Sequence, residues 1–281
     1  MKTMHLFAGV GGGLLADLIL GHEPIVAVEW DAYCCQVLRE RAADGWFRGL
    51  RVHEGDVRMF DASEYAGRVD CIHAGFPCQD ISAAGKGAGI DGARSGLWRE
   101  VIRAIDAIRP SFVFLENSPR IRTKGRDRVI AELVARGYAW RDGILAAADV
   151  GAPHKRDRWW CLAANTDGLR ELQQKGGEQN IRRWDDHSIE NSENADVMRV
   201  RCADSCGQPA TQKSADIRYS VNVESREGTG TESASWFEVE PQVERLVYGM
   251  ADGVVSAAIK ALGNGQVPLQ AAVAWRLLGG P

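Results

Sequence analysis

Short apolar runs alternate with segments of helical periodicity through the first 164 residues, and this alternation predicts an α/β fold. The predicted strands are residues 3–7, 24–31, 51–57, 69–74, 112–115, 138–150 and 159–164, the last two as a pair that completes the sheet. The predicted helices are residues 14–20, 31–43, 97–105 and 126–136. Asp31 is the expected N-cap of the second helix, and Pro110 ends the third.

Residues 165–238 are a different kind of sequence, rich in Asn, Asp, Ser, Gln, Gly and Arg and poor in aliphatic runs. Apolar helical sequence returns over residues 243–278, of which 267–278 are expected to pack back on the N-terminal sheet. We therefore predict a discontinuous domain of residues 1–164 plus 239–281. The composition of the interruption is also that of a disordered insertion, and the residues alone leave that alternative open.

The overall composition narrows the class of protein. A chain of 281 residues can bury a large core, and 45% hydrophobic with 26% charged residues is typical of soluble globular proteins. No run approaches the ~20 apolar residues of a membrane span, and the N-terminus lacks a signal-peptide pattern. Seven cysteines favour reduced thiols and a cytoplasmic location. The net charge of −4 excludes a global basic field, so a nucleic acid would need a local basic cleft.

A glycine-rich turn, residues 8–13, separates the first strand from the first helix. Such a turn lets a ligand approach the backbone near the positive end of the helix. The dinucleotide pattern G-x-G-x-x-G would need Gly at Leu14, which weakens the interpretation as an NAD site. Glu29 ends the second strand, where an acid suits hydrogen bonds to ribose hydroxyls, and Asp56 lies at the same edge. For Glu29 a solvated loop carboxylate is the alternative.

Two further chemical groups follow apolar strands. A Gly-Phe-Pro turn after residues 69–74 places Cys78 on a loop at the ligand-binding edge of the sheet, where its thiol could act as a nucleophile. On this stretch alone, a buried structural cysteine is an equal alternative. Glu116 ends the strand 112–115, so burial should favour its protonated form, the state that a proton donor needs. A carboxylate that caps the next helix is the alternative.

A basic loop, residues 153–158, joins the last two strands. Arg156 and Arg158 alternate along it. On an extended backbone they would point the same way and could share an anionic or acceptor-rich ligand.

Taken in order, these motifs resemble those of the DNA (cytosine-5) methyltransferases of the small bacterial or phage type. The matching segments are residues 7–12, Glu29, residues 55–56, 75–79, 94–97, 116–117 and 156–158, Arg245 and residues 263–268. Each motif is weak alone, whereas the ordered set is specific and covers everything except about residues 165–238. The departures are His5 for the usual Asp, Ser118 for Val and His154 for Gln, none of which removes a group that the chemistry needs.

The resemblance implies a Rossmann-like, S-adenosylmethionine-dependent methyltransferase sheet, with residues 165–238 as a small irregular target-recognition insertion. It makes Cys78 the nucleophile that adds to C6 of a flipped-out cytosine and Glu116 the proton donor to N3. Arg158 would hold O2 of the base, and Arg156 would lie near Cys78 and the phosphate. Phe7 would stack on the adenine of the cofactor, Glu29 would bind its ribose and Asp56 its amino group.

The full set of site residues implied in this way is larger. The cofactor-binding residues are Phe7, Gly9, Gly11, Gly12, Glu29, Trp30, Asp56, Val57, Pro77 and Asn264. The substrate-binding residues are Gln79, Ser82, Arg94, Asn117, Arg182, Arg183 and Arg245. No metal is expected, because His187, Cys202 and Cys206 lack the spacing of a zinc site.

The expected partner is double-stranded DNA bound by a monomer, with a cognate restriction endonuclease as a further candidate and no membrane. Two alternatives stay open: cytosine-5 methylation of a tRNA, and a catalytically silent DNA-binding relative. The presence of Cys78, Glu116 and Arg158 together speaks against the silent relative.

Overall fold

A computed structural model of the chain describes residues 1–77, 97–170 and 252–281. Within these residues a single sheet has seven strands: β1 (Lys2–Leu6), β2 (Glu23–Glu29), β3 (Arg51–Glu54), β4 (Cys71–Gly75), β5 (Phe112–Asn117), β6 (Ala139–Leu145) and β7 (Arg158–Ala164). The helices are α1 (Gly12–Leu20), α2 (Ala32–Ala43), α3 (Trp98–Ile108), α4 (Ile121–Lys124), α5 (Arg126–Val134), α6 (Asp252–Asn264) and α7 (Pro268–Leu277). The alternation predicted for the first 164 residues is therefore confirmed in the described part.

The strands lie in the order β3-β2-β1-β4-β5-β7-β6. The first five are parallel, and β7 is antiparallel to both of its neighbours. Strands β2 and β3 lie on one side of β1, and β4 and the later strands lie on the other side. The strand order therefore reverses at β1, next to β4. Ligands of open α/β sheets bind in the crevice at such a switch point, outside the carboxyl ends of the strands. The loops after β1 and β4 therefore define the functional edge.

The element boundaries differ from those predicted in two informative places. Strand β5 continues through Glu116 and Asn117, because these residues pair with Trp160 and Trp159 of β7. The strand predicted over residues 138–150 ends at Leu145 and gives way to a 3-10 turn, Ala148–Val150. The predicted cap is confirmed, since Oδ1 of Asp31 accepts hydrogen bonds from the N–H groups of Tyr33 and Cys34.

The C-terminal helix α7 packs back on the sheet, as predicted. Its Trp275 is 2% exposed and meets the rings of Phe112, Phe114 and His22 edge-on, with centroids 5.2–5.8 Å apart. Ala271 and Ala274 belong to the same apolar cluster. This packing joins the two sequence-distant parts of the domain into one core.

The folded domain continues past residue 164, where its first part was predicted to end. The N–H of Asn165 donates to the carbonyl of Ser111 at 3.0 Å, and Leu169 packs against the apolar cluster under β5. The boundary predicted at residue 239 lies outside the described residues, so the division into domains stays a prediction. In the described part of the chain, no helix is long and apolar enough to cross a membrane.

A buried polar cluster lies between β1, β4 and α1. The carboxylate of Asp17 accepts hydrogen bonds from His5 Nε2 at 2.6 Å, from His22 Nδ1 at 3.3 Å and from the hydroxyl of Thr3. Burial would raise the pKa of Asp17, but the charge of His5 and the hydrogen bonds from His22 and His5 lower it well below its usual range. The His at position 5, a departure from the family pattern, thus has a partner in Asp17.

His73 completes this cluster, with its ring centroid 4.7 Å from that of His5. Ligand-type atoms of His5, Asp17 and His73 lie within 4.8 Å of one another, all buried. Since both oxygens of Asp17 already accept hydrogen bonds, we interpret the group as a hydrogen-bonded network within the core.

We predict that Asp17→Asn lowers the free energy of unfolding at pH 7 by about 3–5 kcal/mol, because it removes one partner from a buried charged network. The folded-state pKa of Asp17 lies below its unfolded value. Its contribution is therefore complete above the unfolded pKa of about 4 and is lost as the pH falls through the folded value. Urea denaturation from pH 7 downwards checks both statements.

Asp44→Asn is the matched control, because Asp44 pairs with Arg41 at 3.5 Å on the surface. That change should cost less than about 1 kcal/mol. Equal effects of the two substitutions at pH 7 would contradict the assigned role of Asp17.

Candidate functional site

The carboxyl ends of the parallel strands bring the predicted chemistry together at one edge. A cavity of about 30 Å³ lies there, between the loops after β1 and β4, the end of β5 and residues 252–281, here called the C-terminal segment. Its lining consists of residues 5–9, Gly13, His73, Gly75, Glu116 and residues 264–266. Small-molecule sites usually enclose about 300–1,000 Å³, so this cavity by itself does not enclose a cofactor.

The turn after β1 has an unusual backbone. Phe7, Gly9 and Gly11 all adopt positive φ angles, of 59°, 56° and 95°. For Phe7 this conformation is strained, and such strain is common at ligand-binding turns. A Cβ on Gly9 would meet nothing within 4 Å, so the described chain leaves open space beside this glycine.

Glu29 holds this turn. Its Oε2 accepts the N–H of Gly9 at 2.7 Å, and its Oε1 accepts the N–H groups of Trp30 and Asp31, each at 2.9 Å. The predicted contact with ribose stays a prediction, but the carboxylate has an observed role in fixing the turn. Next to it, Trp30 is 69% exposed, which leaves its indole ring available for stacking.

The two residues predicted after β3 have different surroundings. Asp56 caps the short 3-10 helix Val57–Met59 and pairs with Arg58 through contacts of 2.5–3.0 Å. Val57 is 6% exposed and packs in the main core. Asp56 is therefore placed at the edge with a carboxylate already bound to a guanidinium, whereas the side chain of Val57 points into the core.

Two of the predicted cofactor-binding glycines lie close to other protein atoms. A Cβ on Gly12 would lie 2.1 Å from the backbone oxygen of Gln266, and a Cβ on Gly11 would lie 2.9 Å from Leu38. Gly12 is required by close approach of a backbone atom, and Gly11 by its positive φ of 95°; the cofactor contacts of both stay predictions. Gly9 is the one of the three with open space next to it.

Glu116 and Arg158 form an ion pair at the end of β5. Arg158 Nε lies 2.9 Å from Glu116 Oε1, and the carboxyl side chain is 13% exposed. Burial raises the pKa of Glu116 above its ordinary value, although the charge of Arg158, a hydrogen bond from Gln266 and the charge of Arg156 oppose the rise. This net effect confirms the desolvation expected at the end of an apolar strand. The role as proton donor stays a prediction.

Arg156 does not follow the extended geometry predicted for its loop. Its φ is 39°, so the extended backbone predicted at this residue is wrong, although the charges of Arg156 and Arg158 both act on Glu116. Arg156 Nη2 donates to the carbonyls of Gly263, at 2.9 Å, and Gly265, and Nε has no partner in the described part of the chain. Burial and the charge of Arg158 lower the pKa of Arg156. Its proximity to Cys78 stays a prediction.

Two buried amides support these loops. Asn117, predicted to bind substrate, is 2% exposed; it donates to the carbonyl of Phe76 at 3.1 Å and accepts from the N–H of Ser118 at 2.8 Å. Both ends of this amide are engaged, so its observed role is to hold the loop that leads to Pro77, and a substrate contact stays a prediction.

Gln270 was missed by sequence reasoning. It is 1% exposed and donates to the carbonyls of Leu145 at 2.8 Å and Arg156 at 3.0 Å. The available signal was a polar residue within the apolar sequence of α7.

Several predicted site residues lie outside the described residues. They are Cys78, Gln79, Ser82 and Arg94 in one segment, and Arg182, Arg183 and Arg245 in the other. The sulfur and imidazole groups rejected as a zinc site, His187, Cys202 and Cys206, also lie outside. Among the described cofactor candidates, Pro77 follows Phe76 at the end of the β4 loop and Asn264 lines the cavity.

The chain is similar to several curated methyltransferases. The type II methyltransferase M.CviJI of Paramecium bursaria Chlorella virus IL3A is 33% identical over 168 residues, which are 59% of this chain and 44% of that protein. M.HhaI of Haemophilus parahaemolyticus is 28% identical over 172 residues, 59% of this chain and 50% of that protein. The chain thus spans about half the length of the curated relatives it matches.

Two solved structures are also similar. A DNA modification methyltransferase encoded within an E. coli prophage is 26% identical with a TM-score of 0.49, covering 59% of this chain and 47% of that one. The Dnmt2 methyltransferase of S. pombe is 18% identical with a TM-score of 0.49, covering 63% and 58%.

The seven-stranded sheet, with its polar groups at the switch point, defines a Rossmann-like methyltransferase fold. The model of C-5 cytosine-specific DNA methylases matches residues 1–245. Because this match covers most of the chain, the chain belongs to the C-5 cytosine-specific DNA methylase family. Members of this family use S-adenosylmethionine as methyl donor.

The residues at the ends of β1 and β2 fit that cofactor. Gly9 leaves open space beside the turn, Trp30 offers an exposed aromatic face, and Glu29 supplies a carboxylate between them. A purine needs a stacking surface and a ribose needs hydrogen-bond acceptors, and this edge provides both.

We predict that Glu29→Ala weakens S-adenosylmethionine binding by roughly 1–3 kcal/mol, because it removes an acceptor and releases the N–H of Gly9. Calorimetric titration measures the change. Glu54→Ala is the control, since Glu54 ends the next strand but pairs with Arg39 on the surface at 2.7 Å. Unchanged affinity in Glu29→Ala would place the cofactor elsewhere.

Proposed function

We propose that this protein transfers a methyl group from S-adenosylmethionine to C5 of a flipped-out cytosine in a specific duplex DNA sequence. The observation that carries the proposal is the Glu116–Arg158 ion pair at the end of β5, whose side chains are only 13% and 26% exposed, in a chain of the C-5 cytosine-specific DNA methylase family. Asn117 ties this pair to the loop that precedes Cys78. No base is accessible within a stacked duplex, so the target cytosine has to leave the helix.

In the proposed reaction the Cys78 thiolate forms a bond to C6 of the cytosine ring. The electron pair of the C5–C6 double bond becomes available at C5, and electron density at N3 accepts the proton of Glu116. The cofactor supplies the electrophilic methyl group that C5 attacks. A solvent water then takes the C5 proton, and the electron pair of the C5–H bond restores the C5–C6 double bond as the bond between C6 and the Cys78 sulfur breaks. N3 returns its proton to the carboxylate of Glu116, and Cys78 leaves as the thiolate.

The charges around Glu116 suit this role. Burial favours the neutral carboxyl that can donate a proton, and the guanidinium of Arg158 beside it stabilises the carboxylate left after donation. In the complex Arg158 also binds O2 of the base. Arg156 holds the loop that leads into β7, where Arg158 lies, through its hydrogen bonds to the carbonyls of Gly263 and Gly265.

Residues 165–238 are proposed to read the bases around the target. The catalytic motifs lie outside this stretch, and its arginines, including Arg182 and Arg183, are candidate DNA contacts. The relatives named type II methyltransferases support a restriction endonuclease as partner of this protein. We place the protein in the cytoplasm as a monomer.

We predict that duplex DNA containing 5-fluorocytosine forms a covalent adduct with the protein, because fluorine at C5 cannot leave as the proton does. Cys78→Ser should form no adduct and transfer no methyl group, yet bind S-adenosylmethionine as before. Denaturing electrophoresis detects the adduct, and calorimetry measures cofactor binding.

The same assay separates the alternatives. Methyl incorporation into tRNA but not into DNA would replace the proposed substrate by RNA. Near-native turnover by Cys78→Ser would overturn the mechanism, and cofactor binding without transfer to either nucleic acid would indicate a silent relative.

We further predict that replacing residues 165–238 with the corresponding stretch of a relative moves the methylated motif. Each good base contact discriminates by about 1–3 kcal/mol, and such contacts are expected only in this stretch. Methylome sequencing of the chimera measures the motif, and the 5-fluorocytosine adduct serves as control for intact chemistry. An active chimera that keeps the parental motif would place recognition in residues 1–164 plus 239–281.

A further inference from the structure

Gln266 lies where three glycines from two segments of the chain leave room for it. A Cβ on Gly12 would lie 2.1 Å from the backbone oxygen of Gln266, and a Cβ on Gly13 would lie 2.7 Å from its Oε1. A Cβ on Gly75 would lie 3.0 Å from its Nε2. The start of α1 and the end of β4 thus both lie in close contact with one residue of the C-terminal segment.

The side chain of Gln266 reaches the proposed proton donor. Gln266 Nε2 and Glu116 Oε2 each lie 3.0 Å from the position that a Cβ on Gly75 would occupy, so the amide and the carboxyl are neighbours beside this glycine. An N–H of Gln266 that donates to the carboxyl lowers the pKa of Glu116. The other end of the amide, Oε1, lies beside Gly13 at the start of α1. The backbone of Gln266 packs directly against Gly12, so the position of its side chain beside Glu116 is set by the backbone as well as by the side-chain conformation.

We propose that Gln266 is a positioning residue, which holds the carboxyl of Glu116 against Arg158 and sets the pH range over which Glu116 donates its proton. This inference rests on the proposed function of Glu116. It assigns to the C-terminal segment a part in the reaction as well as in packing.

The groups that face Glu116 determine whether loss of Gln266 raises or lowers the pKa of Glu116. In the described part of the chain, the guanidinium groups of Arg158 and Arg156 oppose its protonation, and the rings of His5 and His73 line the same cavity. An N–H of Gln266 that donates to the carboxylate stabilises the charged form. Loss of this donor should therefore raise the pKa of Glu116 further.

The test uses Gln266→Met, which keeps the length of the side chain without a donor, and Gln266→Glu, which keeps its shape and adds a like charge. Single-turnover methyl transfer to unmethylated plasmid DNA is measured against pH with saturating S-adenosylmethionine. Because Glu116 must be protonated to donate, the rate falls as the pH rises through its pKa. In both variants the pH at which the rate falls (the alkaline limb of the profile) should be higher by about one pH unit. The maximal rate at lower pH (the plateau) should be about tenfold lower.

A matched control comes from the surface of α2, where Gln36 Nε2 donates to Glu40 Oε1 at 2.9 Å. Gln36→Met should leave both the plateau and the alkaline limb unchanged. Calorimetric binding of S-adenosylmethionine and the thermal unfolding midpoint verify that the variants at position 266 are folded.

The outcomes are distinguishable. An inactive native protein, or one whose rate does not fall as the pH rises, contradicts the proposed function itself. An active native protein whose variants at Gln266 lose rate without any movement of the limb overturns the positioning role and leaves packing as the function of this residue. An alkaline limb at higher pH in both variants at position 266, but unchanged in Gln36→Met, supports the inference.

Discussion

The burial of a single carboxyl group, that of Glu116, is the constraint on which the rest of the site depends. A carboxylate taken out of water is costly unless donors and cations surround it. Arg158 and Gln266 provide such groups from β7 and from the C-terminal segment, and the charge of Arg156 adds to them. The result is a carboxyl whose pKa is raised by burial but whose charged form still has partners. This combination suits a group that must give up a proton within the reaction.

These partners are themselves held by contacts between distant parts of the chain. Arg156 binds the carbonyls of Gly263 and Gly265, and the backbone carbonyl of Arg156 accepts from Gln270 of α7. The C-terminal segment therefore fixes the basic loop from two sides while its Gln266 fixes Glu116. In the described residues, the part of the chain after the polar interruption completes the edge that the first part begins. This arrangement supports the proposed discontinuous catalytic domain.

Much of this arrangement was predictable from the sequence, because it depends on local patterns. Apolar runs identified the strands, Asp31 capped α2 as expected, and Glu116 at the end of a wholly apolar strand was correctly expected to be desolvated. The return of α7 to the sheet also followed from its apolar composition. Each of these features is determined by residues close together in the chain.

The failures concern contacts between residues far apart in sequence. An extended backbone was predicted for Arg156 and Arg158, but Arg156 has a positive φ and its guanidinium binds the carbonyl of Gly263. The cofactor contact assigned to Gly12 stays a prediction, but no local pattern indicated that the backbone of Gln266, more than 250 residues later, also requires glycine there. Gln270 was missed because a single buried amide in a helix gives no local signal of its distant partners.

The central claim is that this chain places a methyl group on C5 of cytosine in DNA through Cys78 and Glu116. Bisulfite sequencing of DNA from a host without cytosine methylation, expressing the native chain or Glu116→Gln, tests it most directly. We predict that the native chain protects cytosines within one recurring sequence from conversion, and that Glu116→Gln protects few or none. Complete conversion in cells that contain the folded native protein, or equal protection by the two chains, would contradict the account.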